Sequence, residues 1–308
     1  MATDRFYTAT DEKLNEICFN TLLERWKLKA ISRFHWEGLP SAIEERKIEN
    51  YLFDEGKCIF VKDELRGYLV LRCQAINYYD INYRPTQASA VGFGYIKTYN
   101  IYWGEDGYKS LVDADGKKVY DEYNTGIIIS NNYLGLSTYE QIIYKIYQLY
   151  NVERALDTNV SQLSLNNILV AGMEDSKNVQ MLINNLKKHK AFNAISTKSL
   201  LNEIKTLELN PVYYGNQLES LKRSLESDLD VWLGFNNVGM EKKERLITDE
   251  VNANNESIES ELDNSMTQRR YASDLINEFF GLNISPTCSI QKEQEVDYEQ
   301  GGKNNGNI

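Results

Sequence analysis

The sequence predicts an α+β chain, and three observations carry that reading. Amphipathic helical periods recur along the chain, residues 57–137 have the texture of short strands, and a small α/β insert separates two long helices. At 308 residues the chain exceeds one compact domain and suits two, or one elongated subunit of several parts.

Residues 1–56 read as N-terminal helices. The first is expected over 8–35, with Thr10 placed to cap it and Asp11 and Glu12 in the first turn, where the helix dipole favours acids. Leu14, Ile17, Cys18, Leu22 and Ile31 supply its apolar stripe. Gly38-Leu39-Pro40 breaks it. Ser41 and Glu44 then stand at capping-box spacing for a short helix from Ser41, which Gly56 closes.

Within 57–137, the segments 58–62, 68–73, 96–103 and 127–130 are rich in Tyr, Val and Ile and are bounded by turn residues. Asp113-Ala114-Asp115-Gly116 lacks the remaining ligands of a calcium loop, so a hairpin turn is the reading. Gly92-Phe93-Gly94 lacks the third glycine of a dinucleotide site and reads as a turn or bulge.

Ser137 and Glu140 form a second capping box, opening a helix over 138–158 within a block that ends at 162. Tyr139, Ile142, Ile143, Ile146, Leu149 and Tyr150 recur at helical spacing along it. The insert, 163–212, carries an expected strand at 168–171, a helix at 176–190 and a further segment at 192–196. A second long helix follows at 216–233, within the block 213–234. Leu218, Leu221, Leu225, Leu229, Trp232 and Leu233 lie on one face, and Glu219, Lys222, Arg223, Glu226 and Asp230 on the other. A polar loop is expected at 235–255 and a last helix at 256–280, stopped by Gly281 in a block ending at 284. Residues 285–308 read as a flexible tail.

Composition excludes several function classes. With 34 basic against 45 acidic residues the net charge is −11, the wrong balance for tight phosphate-driven binding of a duplex. Two histidines, His35 and His189, leave little for histidine triads or multi-histidine zinc sites. His35, between Phe34 and Trp36, reads as a partly buried core or interface histidine. Cys18, Cys58, Cys73 and Cys288 contain no CxxC pair and read as free thiols of a reducing cytosol. No apolar run reaches membrane-spanning length, and the start of the chain lacks the apolar region of a signal peptide. The carboxylate neighbours Asp113/Asp115 and Asp121/Glu122 read as solvated loop acids. No motif for catalysis, cofactor or metal emerges, so the sequence predicts no enzyme and no cofactor.

Two charge features stand out. Between Ser176 and Leu200 five lysines, with Lys187, Lys188 and Lys190 closely spaced, occur without any acid. Either a solvated helix face or a docking patch for an acidic partner or RNA fits them. The second is Glu241-Lys242-Lys243-Glu244-Arg245, which taken alone is a solvated charged loop.

The segment Met240-Glu241-Lys242-Lys243-Glu244-Arg245-Leu246-Ile247-Thr248-Asp249-Glu250-Val251, continuing through Asn255 to Ile258-Glu259-Ser260, resembles the upper collar proteins of small short-tailed phages, also called portal or head–tail connector proteins. Ile276-Asn277-Glu278-Phe279-Phe280-Gly281-Leu282-Asn283-Ile284 resembles that family's following element. Phe34-His35-Trp36-Glu37-Gly38-Leu39-Pro40 resembles its F-x-W-E-x-L-P motif. Elsewhere the likeness is one of element order and size.

The resemblance implies a portal-type subunit of a twelve-membered ring at one capsid vertex, passing double-stranded DNA during packaging and ejection. Residues 57–137 become a β-rich wing, 138–162 and 213–234 stem helices, 163–212 a clip and 235–255 a tunnel loop. Residues 256–284 become a wing helix. Lys242, Lys243 and Arg245 are then the DNA-contacting residues, and Lys187, Lys188 and Lys190 the clip's docking patch. Ile142, Ile146, Leu221, Leu225 and Trp232 would pack subunit against subunit. Implied partners are further copies of the chain, the major capsid protein, a lower collar or tail protein, a packaging ATPase and the DNA, with no membrane. Family members carry a basic N-terminal arm linked to a packaging RNA, which Met1-Ala2-Thr3-Asp4-Arg5 does not reproduce. A different virion adaptor that does not line the DNA path is the second reading, and a carbohydrate-active enzyme the third.

Overall fold

A computed structural model describes residues 11–75, 79–104, 121–164, 167–170, 205–208, 213–235 and 248–289. The elements, in order, are α1 (Asp11–Ile31), β1 (Phe34–Glu37), α2 (Glu45–Glu55), β2 (Lys57–Asp63), β3 (Gly67–Ala75), β4 (Gln87–Gly92), β5 (Tyr95–Ile101), β6 (Thr125–Ser130), α3 (Thr138–Ser164), β7 (Asn167–Val170), β8 (Lys205–Glu208), α4 (Gly215–Trp232), α5 (Thr248–Phe280) and β9 (Ser285–Cys288). The chain divides into two units, residues 1–150 with 225–308, and residues 151–224.

In the first unit β2 to β6 close into a five-stranded barrel. All its pairings are antiparallel except β5 with β6. Strand β2 explains the architecture, because successive side chains point to opposite faces and both faces are apolar. Ile59 and Val61 fill the barrel with Leu71, Ala88, Ala90, Tyr99 and Ile101. Cys58 and Phe60 point the other way, into a core shared with Leu52 of α2 and Ile276 of α5. Ala88 and Ala90 leave room for the buried Tyr99 ring, the alternation of small and large that a narrow barrel needs. The predicted strands at 58–62, 68–73, 96–103 and 127–130 correspond to β2, β3, β5 and β6. Strand β4, Gln87-Ala-Ser-Ala-Val-Gly, was not anticipated, since it lacks the bulky residues that mark a strand. Gly92 pairs with Tyr95 across Phe93-Gly94, so the expected turn is a two-residue hairpin loop.

The N-terminal expectations change in three ways. Helix α1 ends at Ile31, because Phe34–Glu37 pairs antiparallel with Ser285–Cys288. Residues 285–288 therefore belong to a strand and not to the flexible tail expected over 285–308; residues 290–308 lie outside the described ones. The inward face of α1 is Leu22, Trp26 and Ala30, whereas Leu14 and Ile17 are exposed. Helix α2 begins at Glu45, after a turn in which the Ile43 N–H donates to Pro40, and Glu44 makes no side-chain cap. The Ser41–Glu44 capping box does not form. Gly56 ends α2 as expected, at φ 75°, its N–H donating to Leu52 O.

One polar cluster joins these parts. Arg269 of α5 and Glu49 of α2 are 1% and 3% exposed at their side chains. Arg269 Nε donates to Glu49 Oε1 at 2.9 Å and Nη2 to Oε2 at 2.7 Å. Its remaining N–H groups reach Asn131 O, Asn131 Oδ1 and Ser265 O, so all five donors are used. Trp36 Nε1 donates to Glu49 Oε1 at 2.9 Å, and the guanidinium lies 3.9 Å from the Phe34 ring centroid. Beyond it α5 ends at Gly281, φ 67°, and Asn277 brackets Ile284 with two hydrogen bonds that turn the chain into β9. Gly38 lies so close to Asn283 that a Cβ there would stand 2.0 Å from its carbonyl oxygen. Two of the three segments that carry the resemblance, 34–40 and 276–284, therefore meet in space.

In the second unit β7 and β8 pair antiparallel, from Asn167 opposite Glu208 to Val170 opposite Lys205. Strand β7 matches the strand expected at 168–171. The expected helix at 176–190 and segment at 192–196 fall outside the described residues, as does the turn at 113–118.

Breaking the buried pair leaves one charge unmatched, so Arg269→Met should cost about 3–5 kcal/mol in urea unfolding. Replacing Glu49 by Leu in the same chain should recover part of that loss; a double variant less stable than the single would contradict the pairing.

Asp63 gives a pH test. Burial raises its pKa, but hydrogen bonds from Tyr95 Oη and the N–H groups of Leu65 and Arg66, with the Arg66 charge, outweigh that and lower it. Its contribution is therefore present above the unfolded carboxyl value of about 3.9 and is lost as pH falls through the lower folded value. Wild type should exceed Asp63→Asn in stability at pH 6, with the gap closing below about pH 4. A gap that persists at pH 2 would refute the assignment.

Candidate functional site

Of the residues that sequence reasoning singled out, Ile142 and Ile146 lie on α3 and Leu221, Leu225 and Trp232 on α4. Helix α3 starts rigidly: Ser137 Oγ accepts the Glu140 N–H at 3.0 Å, half of the expected capping box. Asn131, already tied to Arg269, donates to Thr138 Oγ1 at 2.9 Å. Asn132 Oδ1 accepts the N–H groups of Leu134 and Leu136, holding the 131–137 turn.

Along α3, Ile142, Ile146, Leu149 and Val152 are buried, while Tyr144 and Tyr147 on the opposite face are exposed. Along α4, Leu225, Leu229 and Leu233 are buried at i, i+4 and i+8, and Leu221 and Trp232 remain 49% and 47% exposed. Within the first unit Lys145 donates to Asp228 at 2.8 Å and lies 5.9 Å from the Trp232 ring centroid. Arg25 pairs with Glu226, and Lys29 with Asp230. Within the second unit Lys222 pairs with Glu153 at 2.6 Å. The expected charged face of α4 is thus partly occupied by ion pairs inside the chain.

These positions revise the expected packing set. Ile142, Ile146 and Leu225 are buried within their own chain. Of the expected packing set, Leu221 and Trp232 are the ones left about half exposed. A helical stripe shows which residues seek burial; it does not show which chain buries them.

The basic trios lie outside the described residues, Lys187, Lys188 and Lys190 as well as Lys242, Lys243 and Arg245. Their flanks are informative. Helix α4 closes with Gly234 at φ 78° and the Phe235 N–H donating to Asp230 O, and α5 starts at Thr248. Residues 248–255, expected to be loop, are therefore helical, and residues 236–247 lie outside the described ones. The run Thr248-Asp249-Glu250 puts acids in a first helical turn, a start signal that the polar composition masked.

His35 is exposed, not buried, with Nδ1 3.2 Å from Glu45 Oε1. Asp121 holds a turn by accepting from the Tyr123 N–H and the Asn124 amide, and Glu122 pairs with Lys62, as expected of loop acids. Burial raises the pKa of Cys58 and pushes that of Cys73 up to about 11, so neither is a thiolate near neutrality. Among the described residues no group of three or more His, Cys, Asp or Glu could hold a metal ion, and no helix is long and apolar enough to cross a membrane.

Sequence reasoning missed the cluster of Glu49, Arg269 and Asn131, because nothing in spacing links residues 220 apart. It also missed Tyr133 and Leu134, which stand exposed on the turn before α3.

Residues 9–292 match the Phage Connector (GP10) family. Among solved structures the chain is similar to one in the portal and tail of native bacteriophage P68, with TM-score 0.45 and 14% identity, covering 96% of this chain and 94% of that one. It is also similar to one in the neck of an empty GTA particle computed with C6 symmetry, with TM-score 0.37 and 11% identity, covering 97% of this chain and 82% of that one.

The contrast between the two kinds of apolar residue is measurable. Ile146→Ala should destabilise the chain itself by about 2–5 kcal/mol. Trp232→Ala should change its unfolding by no more than about 1 kcal/mol and act on self-association instead, read by native mass. Unaltered assembly in Trp232→Ala would remove α4 from the contact.

Proposed function

We propose, because this chain belongs to the phage connector family, that it is the subunit of a ring joining head to tail in the virion and that double-stranded DNA passes through that ring. The observation that supports assembly is the set of large apolar side chains that one chain leaves exposed, among them Tyr144 and Tyr147 on α3 and Leu221 and Trp232 on α4. Aromatic side chains in that position are what subunit interfaces use. Closed symmetry is the usual way for identical chains to cover such surfaces.

The charge suits a conduit. Each copy brings −11, so a ring presents an acidic wall that repels phosphates and keeps the cargo from sticking. Residues 236–247 carry Lys242, Lys243 and Arg245 among Glu241 and Glu244, a balance that allows weak, reversible contact. On this reading α3 and α4 form the stem and residues 163–212 the clip that meets the packaging ATPase and then the lower collar or tail protein. The wing faces the capsid protein, and twelve copies complete the ring. No chemistry is assigned to the chain.

Negative-stain imaging of the purified protein is the first test: rings with a central pore are expected, and a compact monomer would overturn the proposal. Deleting residues 240–247 should then leave rings and capsid incorporation normal while packaged DNA is poorly retained. Full retention, or loss of rings, would remove the loop from the DNA path. Reversing Lys187, Lys188 and Lys190 to Glu should spare the ring and abolish motor or tail attachment at moderate salt. Normal attachment would return the patch to a solvated face.

A further inference from the structure

The barrel has two dissimilar ends. Strand directions place the β2–β3 turn and the β4–β5 turn at one end, and residues 79–87 and 131–135 at the other. Strands of six or seven residues separate the ends by roughly 20 Å. At the first end Leu65 and Phe93 project almost wholly into solvent. This tip is braced from beneath, since Tyr95 Oη donates to Asp63 at 3.0 Å and Asp63 holds the turn that carries Leu65.

At the opposite end lies an open groove of about 620 Å³, lined by Tyr79, Tyr83, Tyr133, Leu134 and Tyr271 among others. Those five are all exposed large apolar side chains. Tyr83 sits at φ 57°, a left-handed backbone that a bulky residue rarely adopts. It is fixed there by Asp80, whose Oδ1 accepts the N–H groups of Asn82 and Arg84. The groove is thus built, not merely left open.

Charge decides what fits it. Among the described residues, the charged ones lining the groove are Lys57 and Arg84, both basic. The nearby Asp80 carboxylate is turned onto its own loop. At the tip the cations are already paired, Arg66 with Asp63 and Lys62 with Glu122, whereas the exposed Glu64 makes no ion pair among the described residues. Tip against tip would oppose Glu64 to itself, and groove against groove would oppose Lys57 and Arg84 to themselves. Tip against groove joins opposite charges around an apolar centre.

We propose that the tip of one copy, Leu65 and Phe93 with Glu64 beside them, inserts into the tyrosine groove of the next copy, giving a head-to-tail contact. A contact between two different patches propagates until rotation closes it, which is the symmetry a ring requires. This rests on the ring reading above but names a contact of its own, at the two ends of the barrel and apart from α3 and α4.

The test uses the full chain in a Cys73→Ser background, because Cys73 also lines the groove. Phe93→Cys and Tyr133→Cys are introduced together, and the assembly is treated with a short bis-maleimide. Covalent dimers and a ladder of higher multimers are expected from the double variant, with at most traces from either single variant. A second measurement swaps charges: Glu64→Lys and Lys57→Glu should each weaken assembly severalfold, and the combination should restore it. Rings without a ladder, or without charge rescue, overturn this contact and leave the ring reading intact. A wild-type chain that stays monomeric overturns both.

Discussion

A buried arginine can persist only if every one of its donors is satisfied, and the first unit is organised around that demand. Arg269 spends its five N–H groups on a carboxylate from α2, two oxygens of Asn131 and a carbonyl of its own helix. Trp36 shares the same carboxylate, and Phe34 covers the guanidinium face. Segments distant in sequence must therefore reach one point together. The bidentate pair adds a directional constraint on the register of α5 against α2.

The same cluster fixes what lies beyond it. Asn131 accepts from Arg269 through its carbonyl groups and donates to Thr138 through its amide, so the start of α3 inherits its position from α5. Asn132 then shapes the turn that displays Tyr133 and Leu134. The surface available to partners, including the tyrosine face of α3 and one wall of the groove, is thus set by polar contacts in the interior.

The exposed apolar residues fall on separate surfaces and differ in kind. On α3 and α4 they accompany a stripe that is already buried within the chain, while on the barrel they stand at opposite ends with unlike charges beside them. Two unlike surfaces can cover each other head to tail, which is the heterologous arrangement proposed above.

The sequence by itself determined the order and kind of most elements. Helices α3 and α4, strands β2, β3, β5, β6 and β7 and the stops at Gly56 and Gly281 were legible, because periodicity, capping and glycine conformation are local properties. The KKER–TDEV run and its companions identified the family, since side-chain order over a dozen positions is itself the signal. Local signals misplaced the end of α1 and the start of α5. His35 stands in a strand only because Ser285–Cys288 arrives to pair with it, and no window of neighbouring residues contains that partner. Only the tertiary structure decided that Ile142, Ile146 and Leu225 are used within the chain, that Leu221 and Trp232 are not, and that Glu49 meets Arg269. Burial and ion pairing are settled by which surfaces come together across hundreds of residues, and a hydrophobic stripe has the same pattern whether its own chain or another covers it.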